Sequence, residues 1–130
     1  MPVWVRGDAV MAIHRRQIAE HGGAAGVRDE GLLASALAKP KKLHAYAEQA
    51  SGFAALAASH AFGIARNHPF LDGNKRTAFV VCRTFLLLNG FELAATREEK
   101  YRTFVALAAG ELAESELEEW IEQRLEAVAE

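Results

Sequence analysis

The sequence predicts an all-α fold, a compact helical bundle built as one domain. Hydrophobic residues make up 51% of the 130 positions and alanine is plentiful, a composition suited to closely packed helices. Apolar side chains also recur at helical spacing, most clearly between Phe53 and Asn67. Thr96 with Glu99, and Ser115 with Glu118, have the separation of a capping box, which marks helix starts. A chain of this length buries roughly two thirds of its unfolded surface, enough for a single core over residues 1–130.

Taken in order, Val3-Trp4-Val5 reads as a short extended start and Asp8 as the cap of a helix to about Glu20. Val10, Ile13, Gln17 and Ile18 form its stripe, while His14 and His21 are assigned surface or capping roles. Gly22 to Gly26 ends that helix in a loop lacking the Gly-Lys-Ser/Thr ending of a P-loop. Asp29 then starts a short helix carrying Leu32, Leu33 and Leu37, which Pro40 stops. Residues 41–46 mix cations and aromatics and read as a solvated connection.

Ser51 is the expected cap of the next helix, where Phe53, Leu56, Ala57, His60, Ala61 and Ile64 share a face. His60 on that face is a core histidine with its hydrogen bond satisfied; no further Cys or His joins it and His68 in a zinc set. This helix stops at His68, because a residue before proline is pushed out of the helical region. The helix from Lys75 to Asn89-Gly90 is apolar nearly all round and belongs at the centre of the bundle. After Phe91-Glu92-Leu93, helices follow at about 97–109 and 115–128. Tyr101, Phe104, Val105 and Leu107 face inward on the first, and Leu117, Trp120, Ile121 and Leu125 on the second.

Composition excludes several functions. A net charge of -2 with scattered cations leaves no footprint for nucleic acid. Cys82 is the only cysteine, which rules out an internal disulfide, and its apolar neighbours mark a buried thiol. No stretch reaches the roughly 18 apolar residues of a membrane span, and no secretory leader is recognisable, so the chain reads as cytoplasmic and free of the membrane.

The chemistry concentrates between His68 and Ala78. His68 brings the side-chain type suited to taking a proton near neutral pH. Asp72 offers hard oxygen suited to Mg²⁺ bound with nucleotide phosphates. Gly73 permits a tight turn, and Asn74 as N-cap leaves the amides of Lys75, Arg76 and Thr77 facing an anion. Arg76 can grip phosphate with two donors, Lys75 adds a second charge, and Phe70 points inward as an anchor. The plainer alternative is a turn between helices with solvated cations. The residues alone support an anion-binding loop with a base beside it.

His68, Phe70, Asp72, Gly73, Asn74 and Arg76 together resemble the H-x-F-x-(D/E)-G-N-x-R signature of the Fic/Doc superfamily. The flanks Gly22-Gly23, Gly26-Val27-Arg28-Asp29, Gly31-Leu32-Leu33, Ser35-Ala36-Leu37 and Pro40 resemble its Doc branch, so the similarity extends over most of the chain. The resemblance implies a mostly helical fold with the loop at the start of its central helix. It implies His68 as base, Asp72 as Mg²⁺ ligand, and Gly73, Asn74 and Arg76 around the phosphates of ATP. It also implies a flap, placed at about residues 39–48.

Two departures favour the Doc branch over AMP-transferring Fic enzymes. Lys75 stands where those have a second glycine, and Phe79 where they have a last arginine. For the Doc branch the resemblance implies a toxin kinase that presents the γ-phosphate to a hydroxyl of a translation factor, elongation factor Tu being the known target class. Ser115 and Glu119 have the spacing of a built-in inhibitory helix, but Trp120 and Phe79 break its pattern, so inhibition is expected from a separate antitoxin of the Phd kind. The alternatives are AMP transfer and a catalytically silent module that binds a partner.

Overall fold

The computed structural model describes residues 2–46 and 52–128. Among these are six helices and a two-stranded antiparallel sheet. The helices are α1 (Gly7–His21), α2 (Glu30–Tyr46), α3 (Phe53–Asn67), α4 (Asn74–Leu88), α5 (Arg97–Ala108) and α6 (Glu114–Glu122). The strands are β1 (Phe91–Leu93) and β2 (Leu125–Ala127), paired with Glu92 opposite Glu126. No helix is long and apolar enough to cross a membrane among the described residues.

α3 and α4 form the paired centre. α3 packs against α2, α4, α5 and α6, and α4 also meets α1, α5 and β1. α3 is the more enclosed of the two, since α4 leaves Leu87 and Leu88 exposed at its end. The small residues of α3 explain this, because alanines at 54, 57, 58, 61 and 65 let neighbours approach from every side. His60 is the core histidine expected, 4% exposed, with Nδ1 bonded to the Leu56 carbonyl at 2.7 Å. Cys82 is buried as expected, and burial pushes its thiol up to about 12.

Several boundaries differ from the sequence expectation. The start near Val3 joins no strand; Asn89 instead brackets Val3, accepting its N–H at 2.7 Å and donating to its carbonyl at 2.9 Å. Arg6, not Asp8, is the N-cap of α1, and Asp8 pairs with Arg6 from the first turn. Asp29 does cap α2, accepting from the Leu32 N–H at 3.0 Å, but Pro40 does not stop the helix. An internal proline costs about 3 kcal/mol. The broad packing of α2 on α3, with Pro40 itself buried, outweighs that cost. The part of the expected flap at 39–46 is therefore the last stretch of α2, and its remainder lies outside the described residues, as does Ser51.

The capping box of Thr96 and Glu99 is present in both directions, at 3.1 and 2.9 Å. Tyr101, however, is 63% exposed on α5, and Trp120 and Leu125 are only half-buried. Ser115 is not a cap, because α6 starts at Glu114 with Ala113 before it, and Glu116 accepts the Ala113 N–H at 2.9 Å. α6 also ends at Glu122, short of the expected 128. The residues beyond it find a better partner in β1, with Arg124 accepting from Ala94 and Val128 donating to Gly90.

Candidate functional site

The loop between α3 and α4 is held in an unusual shape. His68 ends α3 with φ 49 and ψ 56, left-handed and not extended, while its N–H still donates to Ile64 at 3.2 Å. Such a conformation in a residue with a Cβ costs on the order of 1–3 kcal/mol and persists only when neighbours fix it. Here the neighbours are residues 23–29. Arg28 donates through Nε to the His68 carbonyl at 2.7 Å and through Nη2 to the Asn67 carbonyl at 2.9 Å. The amides of Arg28 and Asp29 donate to the Pro69 carbonyl, Leu71 donates to Gly26, and Val27 bridges to Phe70.

The same segment orients the carboxylate. Asp72 Oδ2 accepts from the Ala24 N–H at 2.7 Å, which leaves its other oxygen without a hydrogen-bond partner among the described residues. Gly23 makes this approach possible, since a Cβ there would lie 3.1 Å from the Asp72 Cβ. The glycine loop thus serves as a brace for Asp72.

Beneath the loop, Phe70 is fully buried and stacks on His14, with ring centroids 3.9 Å apart and planes 10° from parallel. His14 is itself fully buried and lies 3.3 Å from Thr77 Oγ1 through Nδ1, which corrects its surface or capping assignment. Burial lowers its pKa, and Arg15 adds to the effect, so the ring is held neutral. The stripe carried the signal for this, since His14 falls one turn after Val10 on the buried face.

Gly73, with φ 74 and ψ 18, is the N-cap of α4; Asn74 is the first helical residue and not the cap. The Asn74 side chain is a latch across the loop. Its Oδ1 accepts from the Phe70 N–H and its Nδ2 donates to the Phe70 carbonyl, both at 3.0 Å. Asn74 can therefore offer an anion its main-chain N–H, not its amide. Thr77 N–H is already bonded to Gly73 at 2.9 Å, so the open amides at this helix start are those of Asn74, Lys75 and Arg76, one residue earlier than expected.

These parts surround one cavity of about 310 Å³, lined by His68, Asp72, Gly73, Asn74, Lys75 and Arg76. Every residue singled out as a site candidate from the sequence meets there. His68, Asp72 and Arg76 are exposed to it, and none of the ion pairs among the described residues involves Lys75 or Arg76. The Lys75 ammonium instead lies 5.1 Å from the Tyr101 ring centroid. Three open amides, the positive end of α4 and two cations suit the cavity to phosphate. An imidazole and a carboxylate stand at its edge.

The family model described as Fic/DOC family matches residues 4–86. The protein named Toxin Doc from Mycolicibacterium smegmatis (strain ATCC 700084 / mc(2)155) is 46% identical over 78 residues, which cover 57% of this chain and 57% of that relative. The protein named Protein kinase doc from Escherichia phage P1 is 31% identical over 108 residues, 83% of this chain and 84% of that relative. The chain thus spans a little over half the length of the first relative and most of the second.

Proposed function

The chain belongs to the Fic/Doc family, and from that premise we propose that it is a toxin kinase of the Doc kind, moving the γ-phosphate of ATP to a hydroxyl of a translation factor. The observation that carries this reading is the single cavity shared by His68, Asp72, Lys75, Arg76 and the start of α4. In the reaction, the phosphate chain rests on the open amides of Asn74, Lys75 and Arg76. His68 takes the proton of the substrate hydroxyl as its oxygen bonds to the terminal phosphorus. The bond from that phosphorus to the bridging oxygen breaks, and ADP leaves with the electron pair.

Asp72 fits Mg²⁺, because one carboxylate oxygen is fixed by Ala24 and the other is left to a hard cation that takes one or two carboxylates plus phosphate oxygens. Bound there, the ion would neutralise charge on the phosphates. Arg28 and the Asn74 side chain keep the loop in shape without touching substrate. Elongation factor Tu is the proposed target and a small Phd-type protein the proposed antitoxin; the name Toxin Doc supports the toxin reading and the name Protein kinase doc the kinase reading.

The test is to incubate the protein with translation factors and ATP labelled at either the α or the γ position. Transfer of the γ label to elongation factor Tu supports the proposal. Transfer of the α label would replace it with AMP transfer, and growth unaffected by expression of active protein would remove the toxin reading.

A further inference from the structure

Two side chains of α1, one helical turn apart, form the bed on which the α3–α4 loop rests. A Cβ at Gly73 would lie 3.2 Å from Ile18 Cδ1 and 3.8 Å from His14 Cε1, and one at Gly23 would lie 3.3 Å from the same Ile18 atom. Ile18 is thus wedged against both the turn before α4 and the glycine segment that braces it. His14 differs, because it makes two directed contacts.

The face of the His14 ring lies on Phe70, in the closest ring pair among the described residues. Its edge turns to Thr77, with Nδ1 standing 3.3 Å from Oγ1. Phe70 precedes the turn and Thr77 is one turn into α4, so a single buried ring spans the two ends of the stretch that carries Asp72 and Gly73. This placement has a cost. Nε2 is buried and has no hydrogen-bond partner among the described residues, whereas a phenylalanine would fill the space with no unpaired atom. A ring that only packed would need no nitrogen. One that must both stack on Phe70 and bond to a hydroxyl needs Nδ1.

Resting on the reading of this loop as a phosphoryl-transfer site, we infer that His14 is a positioning residue, tying Phe70 to Thr77 and so fixing where His68 and Asp72 stand relative to phosphates at the start of α4. His14 does not line the loop cavity, so it acts only through its neighbours. The open amides of Asn74, Lys75 and Arg76 belong to α4 and keep their place when the tie is cut. His68 and Asp72 sit on the loop and drift. The loss therefore falls on turnover and spares nucleotide binding, since a small misplacement of reacting groups costs rate.

A double-mutant cycle tests the assignment. His14→Phe keeps the stack and removes the edge contact, while Thr77→Val removes the hydroxyl and keeps the branched shape. With elongation factor Tu and γ-labelled ATP, each should lower kcat about tenfold with KM for ATP unchanged. The pair together should lose no more than either alone, because both cut the same tie. Val10→Ala is the control, one turn earlier on the same buried face of α1; it should lower the urea midpoint and leave kcat as in the wild type. Wild-type kcat in either single variant, multiplied losses in the pair, or an equal fall in Val10→Ala would overturn the assignment. Amide NMR supplies an arm independent of transfer. The ¹H–¹⁵N shifts of residues 70–77 should move more in His14→Phe than in Val10→Ala, and equal movement would overturn the tie. If the wild type moves no γ-phosphate yet these shifts follow the prediction, the tie stands and the kinase reading fails.

Discussion

At the scale of single residues, the account separates groups that meet substrate from groups that hold them in place. His68 is in the first class, and His68→Ala should lower transfer by about 10²–10⁴ while the far-ultraviolet circular dichroism stays unchanged. Wild-type turnover in that variant would remove it as the base. The Asn74 side chain is in the second class. Asn74→Ala strips the partners of a buried Phe70 N–H and carbonyl, so urea unfolding should show a loss of about 1–3 kcal/mol, with slower transfer as the loop loosens. Residue identity alone singled out His68, Asp72, Lys75 and Arg76, which the fold gathers at one cavity, because their chemistry is specific and their spacing short. It did not reveal that Asn74 spends its amide on Phe70, or that His14 lies under the loop, because those roles depend on what the chain brings alongside.

At the scale of elements, the segment from Gly23 to Asp29 matters as much as the motif it braces. Arg28→Ala removes two bonds to the carbonyls that end α3, and the strained His68 conformation then lacks its strongest support. Transfer should fall at least about tenfold with Mg²⁺-ATP affinity unchanged, since Arg28 touches no ligand; unchanged turnover would show that the loop holds its shape without it. Helix starts offer a paired test. Thr96→Ala should cost about 1 kcal/mol by urea unfolding, whereas Ser115→Ala should cost only a few tenths, because Thr96 caps α5 and Ser115 lies inside α6. Equal losses would contradict the observed start of α6. α3 was legible almost to the residue, because its own stripe and the following His68-Pro69 define it. The ends of α2 and α6 were not. Pro40 is carried by packing on α3, and the strand at Leu125 depends on pairing with β1 far back in the chain, neither of which is local.

At the scale of the whole molecule, stability is tied to pH through the core. Burial holds His60 down at about 4, with Lys41 and Lys39 reinforcing it against a bond to Leu56 that pulls the other way. Folded His60 thus refuses a proton that the unfolded chain accepts below about 6.5, so its contribution is full above that pH and is lost as pH falls toward about 4. The difference amounts to about 3 kcal/mol, and His14 shifts in the same direction. The urea midpoint should therefore drop between about pH 7.5 and pH 4.5, and drop less in His60→Gln; parallel profiles would exclude the histidine. The α-helical class was legible from composition and periodicity, and the gathering of the motif around one cavity followed from two helices meeting at a short loop. The central claim is that this cavity presents a terminal phosphate to a protein hydroxyl. It is tested most directly by the intact mass of elongation factor Tu after incubation with the protein and Mg²⁺-ATP. The account predicts a gain of about 80 Da, the mass of one phosphoryl group, that is absent with His68→Ala. A gain of about 329 Da, the mass of an adenylyl group, would contradict it.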